Sequence, residues 1–257
     1  MEIIKYKDID ISSFELCSIQ GTQSKVFING DRCYKLVTTL YSSERKKLEA
    51  KFKAMDGISI DNVLLPKELI MDDDMLMGYT MDYFVDSFNM FDRFVRVKTI
   101  DVNEIFKATK EVSKILREVH DKGIILQDFS FENVLINGQG DIRISDIDGC
   151  TYNGINSPFI SSIMSQYYKF MRKNPKVTEN LDRQSLFFSM LCSIYDMLVF
   201  GGEQYDLYSD KIPTIGKLRE LFVKLMSSTE TEIPYLDEVL GEDHYIIDRE
   251  EQKKLRK

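Results

Sequence analysis

The chain has no tryptophan, five prolines, two histidines and four cysteines in 257 residues. Two histidines, His120 and His244, are too few for a multi-histidine metal centre and leave little material for a histidine-based triad. Cys17, Cys33, Cys150 and Cys192 form no C-x-x-C pair and lie far apart, so they read as buried free thiols rather than as a zinc site. No apolar run approaches the roughly 20 residues that a bilayer-spanning helix requires. The start, MEIIKYKDID, lacks the basic-then-apolar order of a secretory signal. A cytoplasmic protein with no membrane partner is expected. Positive charge is the scarcer sign, 34 Lys and Arg against 42 Asp and Glu, and the resulting net charge of -8 disfavours a nucleic-acid partner. Repeats and low-complexity linkers are also missing. Any chemistry must therefore run on carboxylates, lysines and amides.

What is present is an ordinary core-forming composition, 43% hydrophobic and 30% charged, enough for one large domain or two lobes. Roughly the first eighty residues read as strands and turns. SKVFI, CYKLV and MLMGYTMDYF carry β-branched, aromatic or apolar runs bounded by Gly, Asn and Asp. One helix interrupts them: SSERKKLEAKFKAM places Leu48, Phe52 and Met55 on one face, with Ser42 or Ser43 as its N-cap. From about residue 100 the period turns helical, with Val102, Phe106, Thr109, Val112, Leu116 and Val119 forming a stripe that ends at Gly123. LDRQSLFFSMLCSIYDMLVFG is apolar nearly all round and reads as a central buried helix stopping at Gly201 and Gly202. TIGKLRELFVKLMS and YLDEVL read as shorter amphipathic helices, and REEQKKLRK as a solvated tail.

The stretch ILQDFSFENVLINGQGDIRISDID, residues 125 to 148, carries the densest chemistry. A loop holds Asp128 to Asn133, the strand VLI turns at NGQG, and IRIS returns to deliver Asp146. The hairpin brings Asn133 and Asp146 to the same end. Both offer hard oxygen ligands to a divalent cation, which leaves Asp128 to orient a hydroxyl. Phosphoryl transfer needs this combination. Lys35, in the middle of the apolar CYKLV, is a further anomaly, because a lysine there is costly unless it snorkels or is paired.

VHDKGIILQDFSFENVLI resembles the catalytic loop of the protein kinase superfamily, and ISDIDG resembles its metal-binding motif. The resemblance implies an α+β, two-lobed protein kinase-like fold: a small N-lobe (1-82) of antiparallel sheet plus one helix, and a mostly helical C-lobe (83-257), together one kinase domain. It implies ATP and Mg2+, or Mn2+, as cofactors. Asp128 takes the catalytic aspartate's place, while Asn133 and Asp146 take the metal ligands' places. GTQSKVF is similar to a reduced glycine-rich loop, with Gly21 at the nucleotide phosphates. Lys35 would contact the α and β phosphates and pair with a helix glutamate, Glu49 or alternatively Glu44. MGYTMDYF looks like the last strand and hinge of the N-lobe, with Met81 behind the adenine and Asp82 to Phe84 offering backbone hydrogen bonds. Asp182 matches the aspartate that holds the catalytic-loop backbone. LRELFVKLMSSTETEIPYLDEVL resembles the closing helices.

The departures are specific. Leu126 and Gln127 stand where His and Arg are usual, so no arginine is there to pair an activation-loop phosphate. Ser130 replaces a lysine, so either another cation substitutes, with Arg143 and Lys169 as the candidates, or turnover is slow. In DID, Ile147 takes the aromatic place and Asp148 the glycine place, where it either ligates metal or, as preferred, caps the turn. No APE-like triplet precedes Asp182, and the paired arginine is missing as well, so neither partner of that ion pair is left alone. These features look closest to compact bacterial kinase-like proteins with a D-[IV]-D metal motif. The resemblance implies an atypical Ser/Thr protein kinase acting on a protein substrate. A small-molecule acceptor, as in aminoglycoside phosphotransferases, and a nucleotide-binding pseudokinase scaffold are the alternatives.

Overall fold

A computed structural model describes residues 1–18, 24–96, 102–157, 159–195 and 216–240. It is an α+β structure with a mixed six-stranded sheet. The strands are β1 (Glu2–Lys5), β2 (Glu15–Leu16), β3 (Ser24–Asn29), β4 (Arg32–Val37), β5 (Glu68–Asp72) and β6 (Met75–Asp82), in the order β1-β5-β6-β4-β3-β2. The expected sheet was antiparallel throughout. That expectation is corrected by β1, which runs parallel to β5 and pairs Ile3 with Leu69 along its edge.

The β3–β4 hairpin turns at Gly30 and Asp31, and Gly30 adopts φ 63°, the left-handed conformation that a glycine reaches without strain. The two-residue period of β4 then puts Cys33, Lys35 and Val37 on one buried face. Gly78 of β6 lies so close to β4 that an added Cβ would sit 2.1 Å from the Lys35 carbonyl oxygen. The strand carrying Lys35 is thus fixed from behind.

Helix α1 (Ser42–Ala54) packs across the sheet through Leu48, Phe52 and Met55, and Phe52 meets Tyr79 edge to face at 4.8 Å. Its N-terminus is one residue earlier than the serines suggested. Tyr41 is the cap residue, and the Glu44 carboxylate accepts its backbone N–H at 2.8 Å. Arg45 is buried and fastens the helix to the sheet, donating to the carbonyls of Leu40, Val37 and Leu76.

The remaining described chain is mainly helical: α2 (Val102–Asp121), α3 (Ser162–Phe170), α4 (Glu179–Tyr195), α5 (Gly216–Ser227) and α6 (Leu236–Val239). A three-stranded sheet, β7 (Ser87–Asn89), β8 (Val134–Asn137) and β9 (Ile142–Ile144), carries the expected hairpin. The stripe of α2 is buried along its length, and Gly123 beyond it has φ 72°. α4 is buried nearly all round, as its sequence implies, and uses its polar residues inward: Gln184 donates to the carbonyls of Thr229 and Thr231, and Ser185 donates to that of Phe129. Gly201, Gly202 and the basic tail lie outside the described residues. One contiguous apolar core runs from the six-stranded sheet into the helices. Following α1, the Leu64 N–H donates to the Ile144 carbonyl in β9, and the Ile144 N–H donates to the Asn62 carbonyl.

Candidate phosphoryl-transfer site

The loop between α2 and β8 is held from below. Buried Asp182 of α4 accepts the backbone N–H groups of Leu126 and Gln127, each at 2.7 Å, and its carboxylate also meets His120 Nε2 at 3.0 Å. The other His120 nitrogen, Nδ1, is 2.8 Å from the Tyr235 hydroxyl, so the chain of polar contacts continues to α6. Asn133 donates to the Asp128 carbonyl at 2.6 Å, closing the loop on itself. Ser130, where a lysine was missed, instead caps the short 3₁₀ turn Phe131–Asn133 by accepting the Glu132 N–H.

Beyond β9 the chain turns sharply at Asp146, whose φ of 61° is left-handed, a conformation that aspartate tolerates better than most side chains. The turn brings Gly149 against Asp128, where a Cβ would stand 3.0 Å from that of Asp128. The same turn presents Asp146 and Asp148 to Lys35. The Lys35 ammonium pairs with Asp146 and lies 3.0 Å from Asp148 Oδ2 and 3.1 Å from its Oδ1. Asp148 is therefore not the turn cap it was expected to be; its side chain turns inward to the lysine.

Glu49, the expected partner of Lys35, pairs with Lys53 one turn along α1 at 2.7 Å. Glu44 is engaged as the capping carboxylate at the start of the helix. Neither is brought to Lys35. Glu44 lines the same cavity as Lys35 without contacting it, and the α1 side chain that bonds the turn after Asp146 is Lys51, buried, donating to the carbonyls of Asp148 and Cys150 at 2.6 Å each. The signal was legible: Lys51 falls in the apolar stripe with Leu48, Phe52 and Met55, an unusual place for a solvated lysine.

Electrostatics follow from this packing. The two carboxylates raise the Lys35 pKa well above its ordinary value despite its burial. Asp146 is held below the usual carboxylate range by Lys35, while burial and the neighbouring Asp146 push Asp148 up to about 7. Burial, then Asp146 and Glu132, push Asp128 up to about 6. Burial lowers Lys51.

Two cavities meet at Lys35, Asp128 and Asp146. One, of about 440 Å³, is lined on its apolar side by Val26, Cys33, Leu64, Met81, Phe84 and Leu135. The Asp82 carboxylate pairs with Lys67 at 2.6 Å, and Asp82 is not among the residues lining the cleft. The Tyr83 N–H is occupied by the Asp31 carbonyl at 2.9 Å. Gly21 lies outside the described residues. The second cavity, of about 370 Å³, is walled by α1 through Glu44, Lys47, Leu48 and Lys51 and, beyond Gly149, by Ile155, Asn156, Ser157 and Phe159. Arg143 does not reach it; its guanidinium stacks over the Phe84 ring at 4.9 Å. Lys169 is not among the residues lining it either.

The segment after Gly149 is held by Gln127 at the place where an arginine was missed. The Gln127 amide donates to the Ser157 carbonyl at 2.9 Å and accepts from the Thr151 hydroxyl at 2.7 Å.

A divalent cation fits this donor set only in company. Among the described residues no three His, Cys, Asp or Glu side chains form a metal-holding group. Asp146 and the Asn133 side chain line the same cleft, and Mg2+ is commonly held by one or two such groups completed by substrate phosphates. The chain matches no known protein-family model.

Proposed function

We propose that the protein is an ATP- and Mg2+-dependent phosphotransferase with a two-lobed, protein kinase-like arrangement, acting on hydroxyl groups and first among them Ser or Thr side chains of a protein. The observation that carries this reading is the meeting of Lys35, Asp128 and Asp146 at the junction of two cavities, with Asn133 beside them. The apolar side of the first cavity suits a flat base between Val26 and Leu135, and the second leaves room for an acceptor next to Asp128.

In this reading Lys35 orients the nucleotide phosphates, and Asp146 and Asn133 would hold the metal, which supplies charge neutralisation at the transferring phosphate. Asp128 aligns the acceptor hydroxyl and takes its proton. Its carboxyl, raised to about 6, is ionised at neutral pH yet more basic than an ordinary aspartate, which suits that task. Asp182 keeps the loop backbone from relaxing when the charges change.

A small hydroxyl compound as acceptor is the second reading. It is favoured by the shape of the second cavity, bounded by α1 and by Ile155, Asn156, Ser157 and Phe159 rather than open as a flat groove. Incubation with γ-labelled ATP and Mg2+ or Mn2+, beside Asp128→Ala and Asp146→Asn, tests the assignment. Label transfer or phosphate release lost in both variants supports it. Unchanged transfer in Asp146→Asn would sink it. Nucleotide binding without any transfer across a panel of protein and metabolite acceptors would favour the scaffold reading instead.

A further inference from the structure

We propose that Asp148 is the positioning carboxylate of Lys35, the part that the kinase resemblance assigns to a glutamate of α1, and that α1 is secured in exchange by Lys51. The inference rests on the nucleotide-binding reading of the cleft. Both Asp148 oxygens lie within reach of the buried Lys35 ammonium, at 3.0 and 3.1 Å. Both candidate glutamates of α1 are committed elsewhere, Glu49 to Lys53 and Glu44 to the Tyr41 N–H.

The charges of the cleft support the exchange. One ammonium faces two carboxylates, Asp146 and Asp148, which is the count that a lysine, a metal-motif aspartate and a helix glutamate would also give. The backbone agrees. Where α1 meets the turn it faces the carbonyl oxygens of Asp148 and Cys150, and these call for a donor. Lysine at position 51 satisfies both; a glutamate there would set its oxygens against theirs.

The arrangement also separates two tasks. Asp146 and Asp148 leave one 3₁₀ turn two residues apart, so Lys35 keeps one carboxylate when Asp146 is engaged with a ligand. The lysine is then held by the segment that carries Asp146, and no α1 side chain needs to reach it. Asp148 acts through Lys35 and is a positioning residue.

A double-mutant cycle on nucleotide affinity tests this, because removing a negative charge near phosphates can either weaken or strengthen binding and only the coupling to Lys35 is diagnostic. The full chain and the variants Asp148→Asn, Lys35→Met, their combination, Asp148→Glu and Glu49→Gln are titrated with ADP and with adenosine, in EDTA and in Mg2+. Asp148→Asn is expected to change ADP affinity about tenfold with Lys35 present and less than about twofold with Met at that position. Asp148→Glu recovers most of the change, and Glu49→Gln has none. Adenosine affinity, which involves no phosphate, stays constant and reports a folded cleft. An Asp148→Asn effect of equal size in both backgrounds, or one confined to Mg2+, would overturn the proposal in favour of a direct phosphate or metal contact; so would no effect. If Lys35→Met leaves ADP affinity untouched while binding adenosine, the nucleotide reading of Lys35 fails first. Should Lys35→Met not fold, a crystal structure with ADP and Mg2+ decides: Lys35 on Asp148 upholds the proposal, and Lys35 on Glu49 or Glu44 refutes it.

Discussion

Lys51 Nζ donates to the Cys150 carbonyl at 2.6 Å across 99 positions of sequence, and to the Asp148 carbonyl at the same distance. Lys51→Met keeps the aliphatic stem and removes both bonds. Relief of the buried charge offsets part of the loss, so the expected destabilisation is about 2 kcal/mol. Urea unfolding measures it, and a change below about 0.5 kcal/mol would show that these bonds do not fasten α1.

Asp128 sets a pH dependence whose sign is fixed by its raised pKa. The unfolded carboxyl releases its proton near 4 and the folded one near 6. Between those values the folded state binds more protons, so this group's contribution to stability is lost as pH rises through the window. Asp128→Asn should be more stable than the parent by about 2 kcal/mol at pH 7 and no more stable at pH 4, while transfer is abolished. In the unaltered protein the transfer rate should fall about tenfold per pH unit below 6. A flat profile between pH 5 and 7 would remove Asp128 from the role of base.

Asp182→Asn keeps the shape of the side chain but offers one acceptor oxygen where two oxygens meet Leu126, Gln127 and His120. At least one buried donor loses its partner, and the expected loss is about 3 kcal/mol. Hydrogen exchange of the amides at 126 and 127 should rise in this variant ahead of those in β4. Equal protection in both places would mean that α4 does not brace the loop.

Gly78→Ala brings a methyl group 2.1 Å from the Lys35 carbonyl and 3.0 Å from Leu36 Cα, both backbone atoms that cannot swing aside. Strand β4 must move, at an expected 3 kcal/mol or so, with loss of ADP binding. Gly138→Ala, where nothing lies within 4 Å of the added carbon, is the matched control and should stay within about 0.5 kcal/mol in thermal melts.

The elements that declared themselves in sequence are those whose period and chemistry agree. The stripe from Val102 to Val119, the β8–β9 hairpin with its NGQG turn, and the Lys35 anomaly in an apolar strand all appear where expected. Asp182 was named through the resemblance alone, and it accepts the backbone N–H groups of Leu126 and Gln127. The partner of Lys35 was not legible, because Glu49 and Asp148 lie 14 and 113 positions away and spacing alone does not choose between a helix face and a turn after a strand. The orientation of α1 decides it, and that depends on the buried stems of Arg45 and Lys51, two cations in positions that a hydrophobic pattern counts as errors. β1 escaped notice because a parallel edge strand at the start of a chain carries no hairpin signal.

Gln127 gives the segment from Thr151 to Ser157 an attachment made entirely of neutral groups. An arginine holding a phosphorylated side chain would be an exposed pair of opposite charges, weakened as ionic strength rises and the screening length shrinks to about 3 Å at 1 M salt. An amide bonded to a carbonyl and a hydroxyl carries no net charge to screen. Ionic strength therefore has no charge at Gln127 through which to loosen the segment.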